Sequence, residues 1–252
     1  MSMFSCSSDQ KGFTLVELAI VLMIIGLLIG GILRGQELMK NAQITATIQQ
    51  IKAYQAAVAT FQDSYSQLPG DMSTATFRVP GCTAASFCGN GDGNSILATR
   101  LGAGTSQTIQ TGSAVPGIET TYFWKHMALS HLISGVMPSA DPATPVAGET
   151  HPAAKINGVF MAAYGMHVPN AQEGLMLVLS NTLTGTSAIQ GAGRDPLTPR
   201  EAYQFDMKMD DGLPDTGFVS APDHNQSCDN GASYHLSNDR ADQKGCILVF
   251  KL

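Results

Sequence analysis

The stretch Lys11-Gly12-Phe13-Thr14-Leu15-Val16-Glu17-Leu18 opens an apolar segment that continues to Leu33. Residues 13–33 contain a single charged side chain, Glu17. As an α-helix this segment would be about 31 Å long, close to the hydrocarbon thickness of a bilayer. We therefore expect a membrane-spanning helix over residues 13–33. Because an unpaired carboxylate in hydrocarbon costs several kcal/mol, Glu17 is expected to have a function in that setting.

The order of residues at this boundary resembles the N-terminal motif of type IV pilins and pseudopilins. In that family a short leader ends in Lys/Arg-Gly and is followed by Phe-Thr-Leu-hydrophobic-Glu. A cleavable secretory signal would have a shorter apolar run followed by a small-residue cut, whereas here Gly12 precedes the run. The resemblance implies that a prepilin peptidase removes the leader, residues 1–12, and methylates the new N-terminus at Phe13. It also implies that Glu17 pairs with the N-terminus of a neighbouring subunit. The alternative is an ordinary uncleaved anchor that carries a glutamate.

The resemblance also supplies a location and partners. It implies a bacterial inner-membrane protein that crosses once, with its C-terminal domain in the periplasm, and that later enters a pilus or pseudopilus filament. The partners would be other pilin or pseudopilin subunits, the prepilin peptidase and an inner-membrane assembly platform. Lys11 on one side of the apolar run is balanced by Arg34 and Lys40 on the other. The distribution of positive charge therefore does not fix the orientation by itself.

The overall charge argues against one class of partner. The chain has a formal net charge of −6, and only 13% of its residues are charged. Binding to the phosphate backbone of nucleic acids requires clustered Lys and Arg. We therefore expect no nucleic-acid partner.

Beyond the apolar run, hydrophobic residues recur at helical spacing. Three- and four-residue steps are typical of one face of an amphipathic helix, and they connect Ile44, Ile48, Ile51, Gln55, Val58, Phe61 and Tyr65. Pro69 is the first proline, and the residue before a proline disfavours helix. The sequence therefore predicts one helix over residues 13–67, half in the membrane, and a globular domain over residues 68–252 that covers its outer half.

Patterns in the C-terminal region predict a mixture of helices and strands. Helices are predicted near 96–101, from Thr121 to Ser134, and from the capping box Thr198-Pro199-Arg200-Glu201 to about Asp210. Strands are predicted at 156–164 and 175–180, which form an antiparallel hairpin, and at 218–220, 233–236 and 246–250. The expected fold class is α+β and pilin-like, with the long N-terminal helix packed on a small antiparallel sheet.

The cysteines fit an oxidising compartment. Cys6 lies in the leader, and removal of the leader would leave four cysteines, an even number. Cys82 and Cys88 would close a small loop, and Cys228 and Cys246 a larger one. The competing interpretation is a metal site, but no Cys-x-x-Cys pair is present. Two disulfide-closed loops are favoured.

No cofactor is expected, but two acidic, glycine-bearing loops are candidates for structural calcium. The first contains Asn90, Asp92 and Asn94, which alternate with glycines, but Cys88 stands at the first ligand position and no Glu closes the loop. The second contains Asp206, Asp210, Asp211 and Asp215, whose charges would repel one another unless exposed or bound to a cation. The second loop is preferred. The alternative is ordinary turns with solvated carboxylates.

No catalytic motif stands out. The six histidines are scattered, and His126 and His131 lie five apart rather than the four typical of a metal pair on a helix. Surface or helix-edge positions are predicted for them. The predicted function is therefore that of a structural subunit, a pseudopilin of a type II secretion pseudopilus or a minor pilin of a type IV pilus, and not that of an enzyme. The alternative is a membrane-anchored periplasmic enzyme or a calcium-dependent binding module.

Overall fold

The structure is a computed structural model, and it describes residues 14–97, 119–141, 146–165, 174–181, 183, 195–222, 227–237 and 239–252. Within these ranges the chain forms four α-helices, one turn of 3₁₀ helix at Ala84–Ser86 and four strands. The helices are α1 (Leu15–Tyr65), α2 (Ala75–Arg78), α3 (Glu119–Leu129) and α4 (Pro199–Met209). The strands are β1 (Val159–Gly165), β2 (Gly174–Ser180), β3 (Val219–Ser220) and β4 (Leu248–Lys251). The expected helix at 96–101 falls mostly outside the described residues.

Contacts divide the chain into two units, Met1–Ala42 and Gln43–Leu252. The described part of the first unit is the N-terminal portion of α1. Its large apolar side chains are exposed from Leu15 to Met39. By length and composition α1 could cross a membrane: its most apolar 18-residue window has a mean hydropathy of 2.7, and none of that window is buried.

The C-terminal portion of α1 forms the centre of the second unit. Its buried residues follow the predicted spacing, and they are Ile44, Thr47, Ile48, Ile51, Tyr54, Ala57, Val58 and Phe61. Tyr54, rather than the predicted Gln55, lies at the middle of this face. The Tyr54 ring packs edge-on against Trp124 of α3 and Phe160 of β1, with ring centroids 5.3 and 5.5 Å apart. The helix ends at Tyr65, two residues before the predicted end at residue 67, and Ser66 follows in a left-handed conformation with φ 57°.

The four strands form one antiparallel sheet in the order β1-β2-β4-β3. Side chains of a strand alternate between the two faces of a sheet. One face, with Phe160, Leu177 and Phe250, joins α1 and the other helices in the main core. The other face carries a smaller apolar cluster that includes Met161, Val178 and Val249. The α+β fold expected from the sequence is confirmed, with the long helix packed on a small antiparallel sheet.

Helix α3 ends five residues before the predicted Ser134. The amide of His131 donates to the carbonyl of Ala128 and the amide of Leu132 to that of Met127, at 3.1 and 3.0 Å. These two bonds are a Schellman motif, which usually has glycine at the left-handed position. Here His131 takes that position with φ 57°. Gly135, the glycine that was expected to end the helix, lies four residues beyond His131.

Both disulfides are present in the structure, Cys82–Cys88 and Cys228–Cys246. The first closes a loop around the 3₁₀ turn, and the second closes a loop between β3 and β4. The strand predicted at 233–236 is wrong: that segment makes only an isolated bridge between Asp229 and Tyr234. The β4 strand begins at Leu248, two residues later than expected, because Cys246 pairs with Leu197 outside the sheet.

Candidate functional site

The first turn of α1 is closed by Thr14 and Glu17. Thr14 donates two hydrogen bonds to Oε2 of Glu17, from its amide at 2.9 Å and from its hydroxyl at 2.8 Å. The amide of Glu17 donates to the Thr14 hydroxyl at 3.3 Å. This reciprocal pattern is a capping box, and it satisfies donors that a helix N-terminus leaves free. The carboxylate oxygen Oε1 makes no hydrogen bond to any of the described residues.

The expected cleavage site, Gly12 and Phe13, lies outside the described residues. The site that the structure does describe is a carboxylate in the first turn of a helix that is apolar on all sides. An apolar helix with none of these side chains buried is stable only when lipid or other helices cover it. Glu17 therefore lies in the first turn of a helix that requires an apolar environment.

A second candidate site lies where α4 ends. Asp206, Asp210 and Asp211 each present an oxygen within 4.8 Å of the others. Asp206 is fully buried, and its oxygens accept bonds from the amide of Gly212 at 3.0 Å and the hydroxyl of Tyr234 at 2.8 Å. Burial raises the pKa of Asp206 to about 6, although the hydrogen bond from Tyr234 opposes the shift. The charges of Asp211 and Asp210 also raise this pKa, because the three carboxylates repel one another. The hydrogen bonds from Gly212 and Tyr234 nevertheless keep Asp206 in place.

The loop after α4 is organised by these same carboxylates. Asp210 accepts the amides of Phe218 and Val219, and Asp211 accepts the amide of Leu213 and the hydroxyl of Thr216. A side chain at Gly217, where φ is 77°, would clash with the Asp210 carboxylate. The loop is thus closed around its own acidic groups.

The three carboxylates lie close enough together that they could hold a cation such as calcium. Calcium binds oxygen ligands at about 2.3–2.6 Å, so oxygens on opposite sides of an ion lie about 4.6–5.2 Å apart. The spacing at Asp206, Asp210 and Asp211 is compatible with that geometry. Three carboxylates would supply the charge. The fourth expected ligand, Asp215, is not part of the cluster.

The glycine-rich loop is arranged differently from a calcium loop. Asn90 accepts from Thr76 through its side-chain oxygen, and Asn94 accepts from the amide of Ile96 in the same way. Asp92 instead joins Asp71 and Glu119 in a group whose oxygens lie within 4.8 Å of one another. Sequence reasoning missed the last two, which lie 21 and 27 residues away from Asp92 along the chain and come together only in the fold.

Asp71 serves mainly as an acceptor for the loop. Its oxygens accept the amides of Gly93, Asn94 and Ser95 at 2.8, 3.1 and 2.7 Å. Burial raises the pKa of Asp71, and the amide donors oppose the shift. A side chain at Gly91 would clash with the Asp71 backbone. Asp71 is therefore a structural junction of the loop, and its group with Asp92 and Glu119 is a second set of carboxylates that could hold a cation.

His126 and His151 are buried, so the predicted surface position is wrong for both. Nδ1 of His126 accepts the amide of Gly70 at 2.9 Å, and Nε2 lies 3.0 Å from the carbonyl of Gly89. The proton therefore resides on Nε2. Although Cys82 and Cys88 lie close to His126, their sulfurs form a disulfide and both imidazole nitrogens are engaged, which leaves no metal ligand.

Lys125 is also almost fully buried. Its ammonium donates to the carbonyls of Met137, Pro138 and Ala140. Burial lowers the pKa of Lys125 to about 8, and the negative charge of Asp141 opposes the shift. The lysine therefore fixes the turn after α3, and its satisfied ammonium indicates a structural role.

Comparison with known proteins bears on the first site. The family model for the prokaryotic N-terminal methylation motif matches residues 7–33, which is consistent with the type IV pilin-like family. The motif supports a pilin- or pseudopilin-type protein that a prepilin peptidase processes and that assembles with other pilin subunits. No curated protein and no solved structure matches the chain.

Proposed function

We propose that this chain is a structural subunit of a type II secretion pseudopilus or of a type IV pilus, as a pseudopilin or a minor pilin. The observation that carries the proposal is the methylation motif at residues 7–33, joined to a helix whose large apolar side chains are exposed from Leu15 to Met39. The role is structural rather than enzymatic. The second unit would face the periplasm while the subunit waits in the inner membrane at an assembly platform.

Glu17 would direct assembly. Cleavage between Gly12 and Phe13 creates an ammonium at the start of the apolar helix. In a medium of low dielectric, an ammonium and a carboxylate attract strongly, and each reduces the other's desolvation cost. Thr14 occupies Oε2 of Glu17 and leaves Oε1 without a partner among the described residues. That oxygen is available for the N-terminus of the neighbouring subunit.

The processing step is tested by mass spectrometry of the chain from its native bacterium. We expect the polypeptide to begin at N-methylated Phe13. A chain that retains residues 1–12 contradicts the proposal and favours the alternative of a membrane-anchored module.

The assembly step is tested with Glu17→Gln and Glu17→Ala. Glutamine keeps an oxygen for the capping box but lacks the charge, so we expect both variants to be inserted and cleaved but poorly incorporated into filaments. Glu37→Ala is the matched control, because Glu37 is an exposed glutamate on the same helix, paired with Arg34 at 2.7 Å. Incorporation of Glu17→Gln at the level of the control would rule out charge pairing.

We also propose that the cluster of Asp206, Asp210 and Asp211 binds structural calcium. Its oxygen spacing and charge support this. The same observation supports the second candidate function, a calcium-dependent binding module. The two candidates differ in what they require of the N-terminus, so the mass of the processed chain separates them.

A further inference from the structure

The loop after α4 exposes a patch that is both apolar and acidic. Met207, Leu213 and Phe218 are 53%, 44% and 64% exposed, respectively. Asp215 is partly exposed in the turn between Leu213 and Phe218, and it lies outside the proposed calcium cluster. The Asp210 and Asp211 carboxylates accept the amides of Val219 and Leu213, so the segment is closed into one loop, and Met207 lies next to its Gly212. We call Met207, Leu213, Asp215 and Phe218 the acidic patch.

Helix α2 carries a feature of opposite charge. Phe77 is 89% exposed, more than any other large apolar side chain among the described residues of the second unit. Arg78 is also exposed, and its guanidinium donates to the carbonyls of Tyr65 and Ser64. No carboxylate among the described residues pairs with it. Phe77 and Arg78 together form the basic knob.

The two features lie at different levels of the second unit. Lys208 of α4 donates a hydrogen bond to the hydroxyl of Thr45. Gln55 donates to the carbonyl of Lys251 in β4, and the amide of Lys251 donates to the carbonyl of Phe218. The basic knob instead contacts the end of α1 at Tyr65. The acidic patch thus lies beside residues 45–55 and the knob beside residue 65. A difference of 10 to 20 helical residues is about 15–30 Å along the axis. The two features of one molecule therefore cannot meet.

Two complementary surfaces at different levels of one subunit suit a head-to-tail contact. Such a heterologous contact does not close and generates an open polymer. Opposite charges steer encounter and fix register, while exposed aromatic and aliphatic side chains supply the area to be buried. The chain has few charged residues, which makes a local match of charge at two apolar surfaces specific.

We infer that the basic knob of one copy docks on the acidic patch of the next copy, so that consecutive globular units in the filament touch through Phe77–Arg78 and the loop after α4. The inference rests on the proposed function in the form of a repeated pseudopilin subunit, and it names the partner surface. The contact adds specificity to the assembly of the apolar helices.

Cysteine cross-linking in the native bacterium tests this contact. The full-length chain carries Phe77→Cys together with Phe218→Cys, and filaments are treated with a short bismaleimide. We expect a ladder of covalent dimers, trimers and longer products. Each single variant gives no ladder. The matched control combines Phe77→Cys with Lys155→Cys, an exposed position that precedes β1 at the opposite edge of the sheet.

Charge reversal supplies a second, independent test. Arg78→Glu and Asp215→Lys are each expected to reduce the yield of the ladder about fivefold, the effect of one exposed ion pair, and the double reversal restores it. Asp215 is chosen because it lies outside the proposed calcium cluster. A processed, incorporated chain that gives no ladder, gives dimers only, or cross-links to a different protein overturns the head-to-tail contact while the proposed function stands. An unprocessed chain in the same sample marks failure of the proposed function instead.

Discussion

His126 joins two loops that are far apart in the sequence, because both of its ring nitrogens are bonded to backbone. Gly70 lies after α1, and Gly89 follows the Cys82–Cys88 disulfide. Burial lowers the pKa of His126 to about 4, even though the hydrogen bond to Gly89 opposes the shift. A histidine with a lowered pKa is protonated more readily in the unfolded chain, so its contribution to stability is lost as pH falls from about 6.5 to about 4.

We expect His126→Asn to destabilise the protein at pH 7.5 and to cost less as the solution is acidified. Losing the two backbone bonds leaves buried groups unsatisfied, at about 1–3 kcal/mol. Each unit by which the pKa is lowered removes about 1.4 kcal/mol from the wild type across the titration range. The measurement is the free energy of urea unfolding for both proteins between pH 7.5 and 4.5. Taking the difference removes the opposing contribution of Asp206, whose raised pKa adds stability as pH falls. A gap that stays constant over this range would contradict the prediction.

The apolar surroundings of Glu17 could be predicted because they depend on residues that are close to it in the sequence. The capping partner Thr14 lies three residues away, and the apolar setting is a property of one continuous segment. His126 could not be predicted, since its environment depends on loops 56 and 37 residues away. Asp71 lies between these two cases. The sequence indicates that a turn follows α1, but it does not indicate that Asp71 accepts the amides of Gly93, Asn94 and Ser95.

Helix α4 shows how the residues at the start of an element determine where it begins. Thr198 and Glu201 form the predicted capping box at the start of α4, with Pro199 as its first residue. Local rules of this kind could be read from sequence, as could the hairpin of β1 and β2, because both depend on contiguous residues. The end of α3 could not, since a histidine took the position that glycine usually fills. The strand pairing of β3 with β4 depends on a long-range contact that no local pattern encodes.

Calcium is expected to stabilise the loop that follows α4. We predict that millimolar Ca²⁺ raises the melting temperature of the wild-type protein, since a ligand at 100 times its Kd adds about 2.7 kcal/mol to the native state. Mg²⁺ at the same concentration should give a smaller shift, because it dehydrates reluctantly. Asp210→Asn should abolish the Ca²⁺ shift. Asp92→Asn, in the other carboxylate cluster, is the matched control and should retain it. If only Asp92→Asn lost the shift, the ion would bind at the glycine-rich loop instead, and the prediction would be wrong.

At the scale of the whole molecule, the boundary of the globular unit lies inside α1 and not after it. The contacts assign residues from Gln43 onward to the second unit, and every buried residue of α1 lies at Ile44 or beyond. The sequence-based boundary at residue 68 describes where the helix ends, whereas packing assigns half of the helix to the globular core. A periodic pattern shows which face of a helix is apolar, but its partner is known only once the sheet is in place.

A fragment that begins at Gln43 is therefore expected to fold, form both disulfides and unfold cooperatively in solution. A fragment that begins at Ala56 should not, because it lacks Ile44, Ile48, Ile51 and Tyr54, all buried in the core. Burying one such side chain contributes about 1.5–3 kcal/mol, so their joint loss is comparable to the total stability of a domain, about 5–15 kcal/mol. Tyr54 carries an additional role, since it packs edge-on against both α3 and β1. Thermal unfolding followed by near-ultraviolet circular dichroism compares the two fragments, with Gln43–Leu252 carrying Lys52→Ala as the control for an exposed change on the same helix. Equal melting temperatures for the two fragments would mean that the outer half of α1 is not part of the cooperative core.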